Sequence, residues 1–207
     1  MAGRIHIIHR APEPPRPGRS RCLAAVLILG LGSAPALAAP LDYRLDAEGS
    51  VVGFEVTMNE GLIRGTMPVA AAEITLDFEN AANSHAEVVL DASGARANLP
   101  FATLAMKSGN VLDTAEFPTI TFQGAQFRRD GDAASVTGTV TLRGQSRPMT
   151  LAAQIFRPQG TPAGYRDRLA VQLTGTLRRS DFGATGFADQ VGDEVRLKIL
   201  ARLVLGP

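Results

Sequence analysis

Apolar and polar residues alternate with a period of two along most of the chain after residue 50. In the first such segment Val52, Phe54 and Val56 share one face, whereas Glu55 and Thr57 share the other. Period two is typical of half-buried antiparallel strands. The same alternation is found in segments 52–58, 74–78, 86–90, 120–123, 136–142, 149–155, 169–177 and 195–203. The pattern therefore predicts an all-β fold of about eight strands.

Between residues 98 and 118 the alternation gives way to helical spacing. Asn98 is suited to cap a helix, and Pro100 suits its first turn. Ser108 is placed to end the helix, and Pro118 fixes the start of the next strand. These residues predict a mostly helical connection of about 25 residues between two groups of strands. Further along, a phase shift at Gly124 predicts a bulge.

About eight antiparallel strands must protect their edges, either in a closed barrel or in a two-sheet sandwich. An outer-membrane barrel also alternates, but it carries aromatic girdles at both membrane interfaces. This chain has no Trp and only 5% aromatic residues, and its polar faces carry Arg44, Glu55, Glu87 and Lys198. The composition therefore disfavours an outer-membrane barrel.

The N-terminus predicts an export signal. Five Arg stand among residues 1–21, an apolar run follows from Cys22 to Leu31, and Ala36 and Ala38 form an A-x-A site. Cleavage after Ala38 divides the chain into a signal peptide, residues 1–38, and a mature domain, residues 39–207. The apolar run is about half the ~20 residues that span a bilayer, so an uncleaved anchor is the weaker alternative.

Loss of the signal changes the charge and the available chemistry. The whole chain has a formal net charge of +1, and removing five Arg and one Glu with residues 1–38 turns this into −3. Neither value suits a nucleic-acid binder. The mature domain has no Cys and one His, His85, so disulfides and Cys- or His-based metal sites are excluded.

Catalytic signatures are also missing from the sequence. His85 is expected to be an exposed residue at the edge of a strand, and the motifs G-x-S-x-G and H-E-x-x-H do not occur. The carboxylate pairs Asp130/Asp132 and Asp193/Glu194 are expected in solvated turns. We therefore predict that the protein is not an enzyme. A small hydrolase or isomerase that uses His85 or a carboxylate is the minor alternative.

Short motifs in a fixed order give a resemblance that runs from Tyr43 to about Leu205. The chain resembles the YceI-like family, whose members are periplasmic proteins with a lipocalin-like barrel that bind polyisoprenoid lipids. The motifs that carry the resemblance are Ser50-Val51-Val52-Gly53-Phe54, Phe117-Pro118-Thr119-Ile120-Thr121-Phe122, Arg179-Ser180-Asp181-Phe182-Gly183 and Val191-Gly192-Asp193-Glu194-Val195. Two positions depart from the family, because Met58 and Met106 stand at or next to places where many relatives carry His.

The resemblance implies an antiparallel lipocalin-like barrel that carries an isoprenoid lipid, of the quinone or polyprenyl type, in the periplasm. We predict no resident cofactor and no nucleic-acid partner, and we leave transient membrane contact and a dimer open. A stress or interaction module with a packed barrel and no ligand is the main alternative. Strand faces and resemblance together predict a cavity wall made of Phe54, Val56, Met58, Ile74, Leu76, Phe78, Val88, Leu90, Met106, Ile120, Phe122 and Phe182.

The basic pair Arg178 and Arg179 admits two interpretations. Guanidinium groups near a cavity mouth are suited to hold a diphosphate or a polar head group. Alternatively, the pair forms a salt bridge with Asp181 at the end of a strand.

Overall fold

The computed structural model describes residues 39–59, 61–131 and 133–206. The predicted signal peptide, residues 1–38, and Asp132 of the predicted carboxylate pair lie outside the described residues. The strands are β1 (Leu41–Leu45), β2 (Val51–Met58), β3 (Gly61–Met67), β4 (Val69–Leu76), β5 (His85–Asp91), β6 (Arg96–Ala97), β7 (Thr119–Asp130), β8 (Ala133–Leu142), β9 (Gln145–Phe156), β10 (Arg168–Arg178) and β11 (Val191–Leu205), and the α-helix is α1 (Pro100–Lys107).

The strands form one antiparallel sheet that closes on itself. Eight of them complete the ring in the order β1–β4–β5–β7–β8–β9–β10–β11, and β11 pairs back to β1. The long β11 pairs with β1 near its C-terminal end and with β2 over the rest of the same edge. Strands β3 and β6 continue the sheet from β2. The predicted antiparallel barrel of about eight strands is confirmed, and the sandwich is not formed.

The period-two pattern directs apolar side chains into the barrel. In β9, Met149, Leu151 and Ala153 are buried, whereas Thr150 and Ala152 between them are exposed. Successive side chains of a strand point to opposite faces, so one face of each strand meets the interior and the other meets solvent. The apolar core is therefore the inner surface of the barrel.

The regular strand backbone is interrupted at a tight turn and at a bulge. Arg143 and Gly144 have φ angles of 51° and 69° and join β8 to β9 as a two-residue turn of the primed type. The Arg143 guanidinium also donates to the carbonyls of Gly109 and Val111, at 2.6 and 2.8 Å, and ties the segment after α1 to this hairpin. The register of β7 against β8 shifts between Gly124 and Gln126, which is the expected bulge.

The helical connection is shorter than the sequence predicts. Helix α1 spans eight residues, and hydrogen-bonded turns continue from Ser108 to Phe117. Pro100 begins the helix and Ser108 caps its C-terminus, as expected, but the N-cap is Leu99. Asn98 is not the cap because its side-chain oxygen accepts a 3.0 Å hydrogen bond from the Arg64 backbone N–H. Asn98 thereby extends the β3–β6 pairing.

One end of the barrel is sealed by the aromatic residues Tyr43 and Phe78. The Tyr43 hydroxyl donates a 2.9 Å hydrogen bond to the Arg166 carbonyl, and burial raises the pKa of this phenol. The rings of Tyr43 and Phe78 meet edge to face at a centroid distance of 6.4 Å. The Arg166 guanidinium lies 4.5 Å above the Phe78 ring and forms a 3.1 Å ion pair with Glu79. We call this arrangement the closed end.

Candidate functional site

The barrel encloses a cavity of about 420 Å³. This volume lies within the range of small-molecule binding sites, about 300–1,000 Å³. Every strand of the closed ring except β1 contributes at least three lining side chains. Among the described residues that line it, the polar side chains are Ser50, Arg179 and Gln190, and the others are apolar or Gly. The alternative of a packed barrel requires a filled interior, and the structure does not show one.

Most of the predicted wall residues do lie on the cavity wall. Their strands present alternate residues to the interior, so a period-two pattern is enough to identify the inward set. The predicted residues that line the cavity are Phe54, Val56, Met58, Ile74, Leu76, Val88, Leu90, Met106, Ile120 and Phe122. Contact of these side chains with a ligand remains a prediction.

Two predicted wall residues, Phe78 and Phe182, lie elsewhere. Phe78 follows the end of β4 and turns toward Tyr43 and Arg166 at the closed end. Phe182 is only 2% exposed, but it packs against the core around Met149 without lining the cavity. It ends a short 3-10 turn, Arg179–Phe182, which directs the chain out of the barrel wall before Gly183. Both assignments to the cavity wall are therefore wrong.

Arg178 points away from the cavity. Its guanidinium is 72% exposed and forms a 2.9 Å ion pair with Asp193, so the salt-bridge interpretation is right but its predicted partner, Asp181, is wrong. The hydrogen bond from Arg178 holds the pKa of Asp193 below its usual range, and Ser180 donates to the same carboxylate. Asp193 lies in β11, opposite the end of β10, and not in a solvated turn.

Arg179 borders the cavity, but its N–H groups are engaged by the protein. The side chain is 8% exposed and donates to four backbone carbonyls at 2.6 to 2.9 Å. These carbonyls belong to Ala184, Gly186, Val191 and Gly192, so one guanidinium fixes the loop between β10 and β11. A planar fork with five donors is suited to this role. Arg179 thus shapes the cavity rim, and few of its donors are left for a head group.

The cavity meets solvent at the end opposite the closed end. Phe101 of α1 and Phe187 of the β10–β11 loop line the cavity, yet they are 58% and 48% exposed. The backbone N–H of Gly186 donates to the Asn110 carbonyl at 2.8 Å, which joins this loop to the segment after α1. We call this opening the mouth. Sequence reasoning missed both residues because neither belongs to an alternating strand.

Other chemistry is sparse in the described part of the chain. His85 is exposed at the start of β5, as predicted. Over residues 39–59, 61–131 and 133–206, no group of three or more His, Cys, Asp or Glu side chains is placed to hold a metal ion. The described helices are all too short to cross a bilayer.

Solved structures share this fold. Burkholderia cenocepacia BcnA matches with a TM-score of 0.69 and 18% identity, over 77% of this chain and 99% of that chain. A Campylobacter jejuni YCEI protein matches with a TM-score of 0.54 and 20% identity, over 68% of this chain and 84% of that chain. At these identities the matches support the architecture alone.

Curated sequences and a protein family match as well. Protein YceI from Escherichia coli O157:H7 is 28% identical over 178 residues, which cover 84% of this chain and 91% of that protein. A UPF0312 protein from Enterobacter sp. strain 638 is 28% identical over 176 residues, or 84% and 89% of the two chains. The YceI-like domain matches residues 43–203, which is most of the chain. With its closed barrel, this chain belongs to the YceI-like domain family.

Proposed function

We propose that the protein is a carrier that holds the long apolar chain of an isoprenoid lipid, of the quinone or polyprenyl type, inside the barrel. The single observation that carries the proposal is the apolar cavity of about 420 Å³. Burial of each CH₂ group contributes about 0.8 kcal/mol before ordering costs are subtracted, so a long tail supplies ample affinity. Gln190, a polar side chain of the lining, suits a head group that remains near the mouth, whereas most Arg179 donors are engaged by the protein.

Two experiments test this function. Organic extracts of the purified protein are analysed by mass spectrometry for a co-purifying prenyl lipid. Direct binding of prenyl alcohols of increasing length is then measured by calorimetry, and affinity is expected to rise with length until the cavity is full. Repeated absence of lipid together with no binding of any prenyl alcohol would exclude the carrier function.

A matched pair of variants in β9 tests whether the ligand lies inside the barrel. Ala153→Phe adds a ring to the cavity wall, whereas Ala152→Phe adds the same ring to the exposed face of the same strand. We expect Ala153→Phe to weaken prenyl alcohol binding by about tenfold or more, through lost apolar burial, and Ala152→Phe to leave it unchanged. Thermal unfolding of both variants checks that they are folded. Equal affinities would argue that the lipid binds outside the barrel.

We further propose that the chain acts in the periplasm after removal of residues 1–38. The support is the sequence itself: a basic start, an apolar run and the A-x-A site at Ala36 to Ala38. Mass spectrometry of the protein recovered from a periplasmic extract is expected to show Ala39 as the first residue. A protein that retains residues 1–38 would contradict cleavage.

A further inference from the structure

Three large apolar side chains surround the mouth of the cavity and are exposed to solvent. Phe101 and Phe187 are 58% and 48% exposed, and Leu104 is 75% exposed. Leu104 lies three residues after Phe101 in α1, so the two side chains share one face of the helix. We call Phe101, Leu104 and Phe187 the mouth patch. An exposed apolar cluster of this kind marks an interaction site.

The patch is too small to hold a second folded protein by itself. With about 200 Å² for a large apolar side chain, the exposed fractions give about 350 Å² of apolar surface. A stable interface between folded proteins buries about 800 Å² on each partner. Attachment to a bilayer needs less apolar surface than a protein interface, because a few apolar side chains that enter the acyl boundary give reversible binding.

The mouth patch is continuous with the cavity lining. Phe101 and Phe187 belong to both, whereas Leu104 extends the apolar surface outward from the cavity. An apolar chain that enters or leaves the barrel at this end must cross the patch. Contact between the apolar chain and water during this transfer is unfavourable, and a membrane surface placed against the patch avoids that contact.

The charges on the helix and the adjoining strand favour an anionic surface. Helix α1 contains no Asp or Glu, Lys107 is its last residue, and Arg96 of β6 is exposed close to its start. The loop of Phe187 contains two acidic residues, Asp189 and Asp181, and Asp181 lies beside the basic Arg178. Asp91, which lies near Lys107, accepts hydrogen bonds from Ser93 and Gly94. Basic side chains beside an apolar surface attract the head groups of anionic lipids.

We propose that the mouth patch docks the protein on an anionic lipid bilayer, with the cavity mouth facing the membrane. This inference rests on the proposed carrier function, because it describes where the lipid enters and leaves. The partner is a membrane surface, and no second protein is needed for the transfer.

Vesicle flotation tests the docking surface. The purified protein is mixed with vesicles of phosphatidylcholine and phosphatidylglycerol in equal parts, or of phosphatidylcholine alone. We expect Leu104→Gln to weaken binding to the anionic vesicles by about tenfold, since one large apolar contact is lost. Lys107→Gln is expected to weaken binding to the anionic vesicles by about fivefold and to leave phosphatidylcholine binding unchanged.

Phe156→Gln is the matched control, because Phe156 is 44% exposed at the far end of β9 and does not line the cavity. This variant is expected to bind vesicles like the unmodified protein. Leu104 also lies outside the cavity lining, so Leu104→Gln is expected to retain its affinity for prenyl alcohols. Retained lipid affinity with lost flotation separates docking from cargo binding.

Three results would overturn the proposal. One is a protein that binds prenyl alcohols but does not float with anionic vesicles. Another is equal loss of flotation in Leu104→Gln and Phe156→Gln. The third is a dimer, seen by sedimentation velocity, that Leu104→Gln dissociates while flotation is unchanged, because the patch would then join two copies. Flotation without any binding of prenyl alcohols would instead count against the carrier function.

Discussion

The two ends of the barrel use aromatic residues in opposite ways. At the closed end Tyr43 is 4% exposed, and its ring, its hydroxyl and the neighbouring Phe78 all have partners within the protein. At the mouth Phe101 and Phe187 are about half exposed and border the apolar cavity. Buried aromatics with satisfied polar atoms stabilise a fold, whereas exposed ones mark a surface that another molecule covers. The closed end is thus sealed by contacts within the protein, whereas the mouth exposes large apolar side chains to solvent.

The largest expected effect follows from removing the closed-end seal. Tyr43→Ala deletes a buried ring that packs against Ala153, Leu169 and Leu203. Truncation of a buried aromatic residue costs about 3–5 kcal/mol of unfolding free energy. Chemical denaturation measures this loss, and Tyr43→Phe, which removes only the hydroxyl, is expected to cost about 1 kcal/mol. Equal costs for the two variants would show that the ring contributes little.

Arg179 is the buried polar group on which the mouth depends. Arg179→Met removes the donor of four carbonyls in the β10–β11 loop, and we expect a loss of about 3 kcal/mol in unfolding free energy. Arg178→Met, its exposed neighbour, is the control and is expected to have a much smaller effect, because exposed ion pairs contribute little. A small effect of Arg179→Met, measured in the same denaturation experiment, would contradict the structural role.

A fall in pH is expected to lower the stability that Asp77 contributes to the turn at the closed end. Asp77 accepts hydrogen bonds from the backbone N–H of Asn80 and the side chain of Asn83, and these bonds hold its pKa below the usual range. A carboxylate with a lowered folded pKa contributes stability above its unfolded pKa of about 3.9 and loses it as pH falls toward the folded pKa.

The variant Asp77→Asn isolates this contribution. It is expected to be less stable than the unmodified protein at neutral pH, with a difference that narrows as the pH is lowered below about 4. Thermal unfolding across the acid range measures the difference. A constant difference at every pH would assign the effect to lost packing and not to the charge of Asp77.

The smallest effect is expected at the mouth. Leu104→Gln replaces a side chain that is 75% exposed, and we expect its unfolding free energy to stay within about 0.5 kcal/mol of the original value. The losses of unfolding free energy in Tyr43→Ala and Leu104→Gln, measured side by side, are the most direct comparison of the two ends. A destabilisation similar to that of Tyr43→Ala would show that α1 is a structural part of the barrel and not a peripheral element of the mouth.

Local chemistry explains which features of the fold were predictable. Alternation identified the inward residues of β2, β5, β7 and β9, because in a strand the face of a side chain depends only on parity. The turn at Arg143 and Gly144 and the bulge at Gly124 also follow from short sequence signals. The prediction of Asn98 as the N-cap is wrong because its side-chain oxygen accepts a hydrogen bond from the backbone N–H of Arg64, which is 34 residues away.

The sequence by itself determined eight of the eleven described strands, the family and the apolar character of the barrel interior. Only the tertiary structure decided that the sheet closes, that the closed barrel is hollow and that Arg179 binds its own loop. It also decided that Arg178 pairs with Asp193 and that Phe101 and Phe187 border an opening. The physical reason is distance along the chain: alternation has the same form in a packed and in a hollow barrel, and the volume between facing strands depends on how all eight close together.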